Sequence, residues 1–130
     1  MARPFSKYPT ELELEILKVL WRGGPSSVGG VRDALVGFRD LAYTSVMTIM
    51  NIMVNKGYLK RAREGNRFVY RPQVSEKETT RRMLSDLTER AFDGSASAVM
   101  LNLLETADVD DDELRQLRQL VDRRLKEKKS

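Results

Sequence analysis

The feature that most limits the fold is a change of hydrophobic period at Gly57. Up to Lys56, apolar residues recur at helical intervals. Beyond Gly57, two short extended runs, Tyr58 to Arg63 and Arg67 to Arg71, flank Glu64, Gly65 and Asn66. Gly and Asn tolerate the positive φ that a tight hairpin turn demands, and Pro72 ends the second run without having to donate to a strand ladder. The chain must therefore place a two-stranded hairpin directly after a helical unit.

Three helices precede the hairpin. Thr10 with Glu13 three residues on has the form of a capping box, and Leu12, Ile16, Leu17, Val19 and Leu20 follow at helical spacing, which predicts a helix from about Glu11 to Arg22. Gly23, Gly24 and Pro25 stop it. Ser26 or Ser27 caps a second helix reaching about Val36, with Val28, Val31 and Leu35 inward and Gly29 and Gly30 weakening it. From Ala42 to Lys56, Val46, Ile49, Met50 and Met53 follow the i, i+3, i+4, i+7 pattern of a third. Three helices and a basic hairpin describe a winged helix-turn-helix over residues 1–73.

The remainder, residues 74–130, is helical. Ser75 and Glu78 form a second capping pattern, opening a helix to about Phe92, and Gly94 breaks the chain before a helix from Ser95 to about Glu105. After Asp110 to Glu113 the last helix carries Leu114, Leu117, Leu120, Val121 and Leu125 on one side. Three short helices with one-sided apolar stripes cover each other poorly, so a partner surface is expected. The expected partner is a second copy, held through Met83, Leu84, Leu87, Leu101, Leu104, Leu114, Leu117 and Val121. The fold class is thus mainly α with a small β-hairpin wing, followed by a helical dimerisation region.

Composition narrows the chemistry. The 130 residues suit one compact domain, or a small domain with an appendage, and contain neither cysteine nor histidine. Thiolate and imidazole catalysis are excluded, along with the usual zinc, copper and haem ligand sets. Asp110 to Glu113 lacks the spacing of a calcium loop and reads as an acidic helix start. The expectation is a non-enzyme with no cofactor and no metal. No apolar run approaches membrane-spanning length, and Met1 to Pro9 lacks a signal peptide's apolar middle, which predicts a cytoplasmic protein with no membrane insertion.

Charge is uneven. Residues 1–72 hold 12 Lys/Arg against 6 Asp/Glu, whereas residues 73–130 hold 11 against 13. A basic first module fits nucleic acid. In a helix-turn-helix the second helix of the motif enters the major groove, and here its outward face presents Thr44, Ser45, Met47, Thr48 and Asn51 as candidate base contacts. The alternative is that Thr44 is only a helix cap and the rest a solvated face; Thr44 and Ser45 also stand where the helix dipole favours phosphate. Tyr43, Lys60, Arg63 and Arg67 are candidate phosphate contacts, while Phe68 and Tyr70 should pack on the third helix and Trp21 should anchor the core.

Three segments, Glu13 to Trp21 (ELEILKVLW), Leu41 to Leu59 (LAYTSVMTIMNIMVNKGYL) and Gly65 to Pro72 (GNRFVYRP), resemble the BlaI/MecI/CopY family of bacterial repressors. The resemblance implies a winged helix on palindromic double-stranded operator DNA and a homodimer made by the C-terminal helices. It also implies control of β-lactamase, resistance or stress genes, and a sensor-linked protease as partner. In the β-lactam branch the repressor is cleaved at an Asn-Phe bond; the similar position here is Asn102-Leu103. The copper-responsive branch uses a C-terminal cysteine cluster, which this chain lacks. A different class of reading is a winged-helix module whose basic hairpin grips an acidic protein without DNA. A carboxylate-dependent enzyme has no paired acids in its favour.

Overall fold

The structure, a computed structural model, describes residues 8–129; residues 1–7, which include most of the segment inspected for a signal peptide, and residue 130 lie outside it. The elements run α1 (Glu11–Gly23), α2 (Val28–Ala34), α3 (Tyr43–Asn55), β1 (Leu59–Glu64), β2 (Arg67–Pro72), α4 (Glu76–Ala91), α5 (Ala96–Thr106) and α6 (Asp111–Lys129). The chain is mostly helical with one antiparallel hairpin, as the period change at Gly57 requires. No described helix is long and apolar enough to cross a membrane.

The chain divides into two compact units that meet inside α4, one ending at Ser85 and the other beginning at Asp86. In the first, α1 starts at a complete capping box: Thr10 Oγ1 accepts from the Glu13 amide at 3.2 Å, and the Glu13 carboxylate accepts from the Thr10 amide at 2.8 Å. Ser27, not Ser26, caps α2 by accepting from the Gly30 amide at 3.2 Å. A Cβ at Gly30 would meet the Ser26 hydroxyl, which would have to rotate away. The second helix is shorter than its sequence suggests: it ends at Ala34, and Val36 lies exposed in the turn that follows.

The core is built from α1 (Ile16, Leu17, Leu20), α2 with Leu35 just beyond it (Val28, Val31, Leu35), α3 (Val46, Met50, Met53) and the hairpin (Leu59, Tyr70). The ladder pairs Leu59 with Pro72, Arg61 with Tyr70 and Arg63 with Phe68, and Gly65 at φ 63° makes the turn. Tyr70 also exchanges two backbone hydrogen bonds with Ser26, at 2.8 and 3.1 Å, so the ribbon is stitched to the segment entering α2. Trp21 packs against the core as expected and donates its indole N–H to the Val74 carbonyl at 2.9 Å.

One charge lies inside this unit. The Glu13 carboxylate, with its side chain 4% exposed, accepts from Lys56 Nζ at 2.9 and 3.1 Å, joining the start of α1 to the end of α3. Burial, and the same carboxylate, push the nearby Tyr58 phenol above its usual range.

The second unit is different in kind. Ser95 caps α5 and Asp110 caps α6, each accepting from the amide three residues on. Those amide bonds hold the Asp110 carboxyl below its usual range, so the acidic run serves as a helix start. Yet Val99 is the sole buried apolar residue among those described from Asp86 onward, and Leu101, Leu103, Leu104, Leu114, Leu117, Leu120, Val121 and Leu125 are between 40 and 59% exposed. Two open apolar grooves of about 450 and 300 Å³ share Met100 and Val121.

Removing one partner of a buried ion pair strands the other. Lys56→Met should therefore destabilise the first unit by roughly 3 kcal/mol, and adding Glu13→Gln should recover part of that loss. Urea unfolding followed by Trp21 fluorescence checks both; an unchanged midpoint in the single variant would contradict the account.

Candidate nucleic-acid interface

The inward residues of α3 fix what its other side shows. With Val46, Met50 and Met53 fully buried, Tyr43, Thr44, Ser45, Met47 and Thr48 all stand exposed in the first turn and a half. Ala42 occupies the N-cap and offers no side-chain acceptor to the first amides, so Thr44 lies one turn position inside the helix and is not a cap. The amides of Thr44 and Ser45 accordingly point out of the positive end of a helix that carries no acidic residue.

Thr48 is more restricted than its position suggests. Its hydroxyl donates to the Thr44 carbonyl at 2.9 Å. The single O–H is spent, and Thr48 presents only acceptor lone pairs outward. A base it meets must offer a donor, which in the major groove is the amino group of adenine or cytosine.

The hairpin presents Lys60, Arg61, Arg63, Arg67 and Arg71, all exposed. Pleating divides them: Arg61 and Arg63 share the face of Leu59 and Tyr70, turned to α3, while Lys60 lies opposite Arg71 on the other face. Arg71 comes within 3.9 Å of Glu64, and Arg63 donates to the Gly65 carbonyl at 3.3 Å, which draws it over the turn. Arg67, Phe68 and Asn66 line one side of an open cleft of about 360 Å³ whose other walls are Tyr43, Met47, Ser27 and Gly29. This cleft joins the helix face and the wing into one continuous surface without an acidic lining residue.

The structure adds detail to two sequence expectations here. Phe68 lies beside Tyr43 and Met47 of α3 in the cleft and stays 43% exposed, with the Arg61 guanidinium 4.9 Å from its ring centre. Asn51 is half-buried, and its carbonyl oxygen accepts from Arg61 at 2.7 Å and from the Tyr70 hydroxyl at 2.9 Å, so its acceptor faces the wing. Tyr70 is buried as expected. Arg61 belongs to the same basic ribbon, and strand alternation sets it on the Tyr70 face, two residues from Arg63, where it reaches Asn51.

A helix start rich in short polar groups beside a basic ribbon suits a polyanion with readable edges. The penicillinase repressor profile matches residues 9–123, almost the whole chain. The chain belongs to the penicillinase repressor family. Among members of this family, the penicillinase repressor of Bacillus licheniformis is 25% identical over 120 residues, covering 92% of this chain and 94% of its own. The transcriptional regulator BlaI of Mycobacterium tuberculosis is 32% identical over 103 residues, 78% of this chain and 75% of its own. The solution structure of the DNA-binding domain of the repressor BlaI has 27% identity and a TM-score of 0.48, covering 54% of this chain and 85% of that one. These relatives bear the names of repressors and regulators rather than of enzymes.

If Thr48 acts as an acceptor toward one base, Thr48→Val, which keeps the shape and loses the oxygen, should relax preference at a single A or C position, at a cost of about 1 kcal/mol there. Binding to a set of single-base-substituted duplexes measures this. An equal loss across every duplex would show that Thr48 reads no base.

Proposed function

We propose that this chain is a dimeric, sequence-specific transcriptional repressor that lays α3 in the major groove of a palindromic operator and its basic wing on the backbone or in the minor groove. The observation that carries this reading is the cleft between the α3 start and the hairpin, whose lining carries Arg67 and no acidic residue, together with membership of a family of repressors. Thr44, Ser45, Thr48 and Met47 meet base edges, Met47 as an apolar contact for a thymine methyl group. Tyr43, Lys60, Arg63 and Arg67 hold phosphates. Functionally, residues 1–73 form the DNA-binding domain and residues 74–130 the dimerisation region.

Support for the dimer comes from the half-exposed leucines of α5 and α6 and from Leu84 and Leu87 on α4. A folded chain rarely leaves so many large apolar residues uncovered, and an isologous pair of copies would bury them. Met83 on α4 belongs to the same stripe. The names of the relatives, penicillinase repressor and methicillin resistance regulatory protein, support antibiotic-resistance genes as targets, and the repressor name favours gene control over the grip of an acidic protein partner. We place inactivation by a sensor-linked protease at Asn102-Leu103. That bond sits inside α5, where the Asn102 carbonyl accepts from the Thr106 hydroxyl at 2.7 Å, so cleavage requires α5 to open locally.

The purified chain should bind the DNA upstream of its own gene roughly 10³-fold more tightly than random DNA, with affinity falling steeply as salt rises. Equal affinity for both at two salt concentrations would reject the repressor reading and leave the acidic-protein partner. Leu117→Asp should convert the dimer to monomer in sedimentation equilibrium and lower operator affinity by roughly 100-fold, because the second half-site then binds without the first. A Leu117→Asp chain that stays dimeric would remove α6 from the interface.

A further inference from the structure

We propose that Asn51, Arg61 and Tyr70 form a positioning latch that fixes the wing against α3, so that the register between major-groove and wing contacts is set before DNA is met. The proposal deepens the operator-binding reading and rests on it. A two-stranded ribbon is marginally stable alone, so its direction depends on what ties it down. At its base the ribbon is held by Leu59 in the core and by the paired backbone bonds between Tyr70 and Ser26. One step outward, the Asn51 carbonyl oxygen receives the Tyr70 hydroxyl at 2.9 Å and the Arg61 guanidinium at 2.7 Å.

The chemistry of the partners fixes the orientation of the amide. A guanidinium has donors and no acceptor, so the Asn51 atom facing it is the oxygen. Both lone pairs of that oxygen are then occupied. An asparagine that reads adenine uses oxygen and nitrogen together, on N6 and N7; Asn51 has spent its oxygen on the wing. Arg61 is held from its other side by the Phe68 ring, so its guanidinium bridges α3 and the outer part of β2. Tyr70 is 2% exposed and cannot touch DNA, which makes it the cleanest probe of the latch.

Two bound surfaces on one duplex are recognised together only when their spacing matches, and a wing held in advance avoids an ordering cost on binding. Tyr70→Phe keeps the ring in the core and deletes one hydrogen bond. It should lower the operator-to-random preference by roughly fivefold while leaving affinity for random DNA unchanged. The chain has no cysteine, so spin labels attach cleanly at Asn55→Cys on α3 and Asn66→Cys at the wing turn. In the DNA-free protein the label distance should be narrow with the latch intact and broadened by Tyr70→Phe and by Asn51→Ala.

An unbroadened distance in both variants overturns the proposal, as does a broadened distance with operator preference intact. Loss of preference at a single base pair in Asn51→Ala, with Tyr70→Phe unaffected, also overturns it by making Asn51 a base reader. Should the unsubstituted chain show no operator preference, the repressor reading fails. The label distances, which need no DNA, then decide the latch by themselves.

Discussion

The Glu13 carboxylate is the constraint on which the DNA-facing surface depends. Its Oε1 closes the capping box of α1, and both its oxygens hold Lys56 at the end of α3. A buried carboxylate is costly unless it is paired and hydrogen-bonded, and here both conditions are met by groups on different helices. The relative placement of α1 and α3 is therefore specified by polar geometry as well as by the apolar core. Once α3 is fixed at its end, its start, with Thr44, Ser45, Met47 and Thr48, has a defined direction. Val46, Met50 and Met53 supply the area that makes the arrangement stable, while the ion pair narrows which packing is adopted.

The two units solve the burial problem differently. The first covers its own apolar residues with three helices and a ribbon. The second has well-capped helices and leaves their leucines half in water. Local signals and capping are enough to specify a helix, but not to stabilise a bundle of three short ones without further burial. In the proposed dimer, the contact that buries the leucines would also double the DNA-reading surface, as a symmetric site requires.

Much of this was legible in the sequence, because helix caps and hydrophobic periods act over three or four residues. Thr10 with Glu13, the Gly65 turn, and the inward faces of α1 and α3 all follow from such local rules. What the sequence did not reveal shares a cause. The surroundings of Asn51 and Arg61 are decided by which side chains the ribbon brings to α3, through contacts between residues 10 and 19 apart in the chain that no local period encodes. Thr44 has the chemistry of a cap, yet the backbone turns at Ala42, so the hydroxyl falls inside the helix. Lys56 offered its charge to the sequence reader but not its burial, since Glu13 lies 43 residues away.

The most direct test of the central claim, that the α3 start and the wing form one DNA-reading surface, is a nuclear magnetic resonance titration of the chain with the duplex from upstream of its gene. The account predicts that amide shifts concentrate on Tyr43 to Thr48 and on Arg61 to Phe68, with the Met47 methyl moving and the inward face of α1 still. Shifts confined to α1 or α6, with the α3 start unmoved, would contradict it.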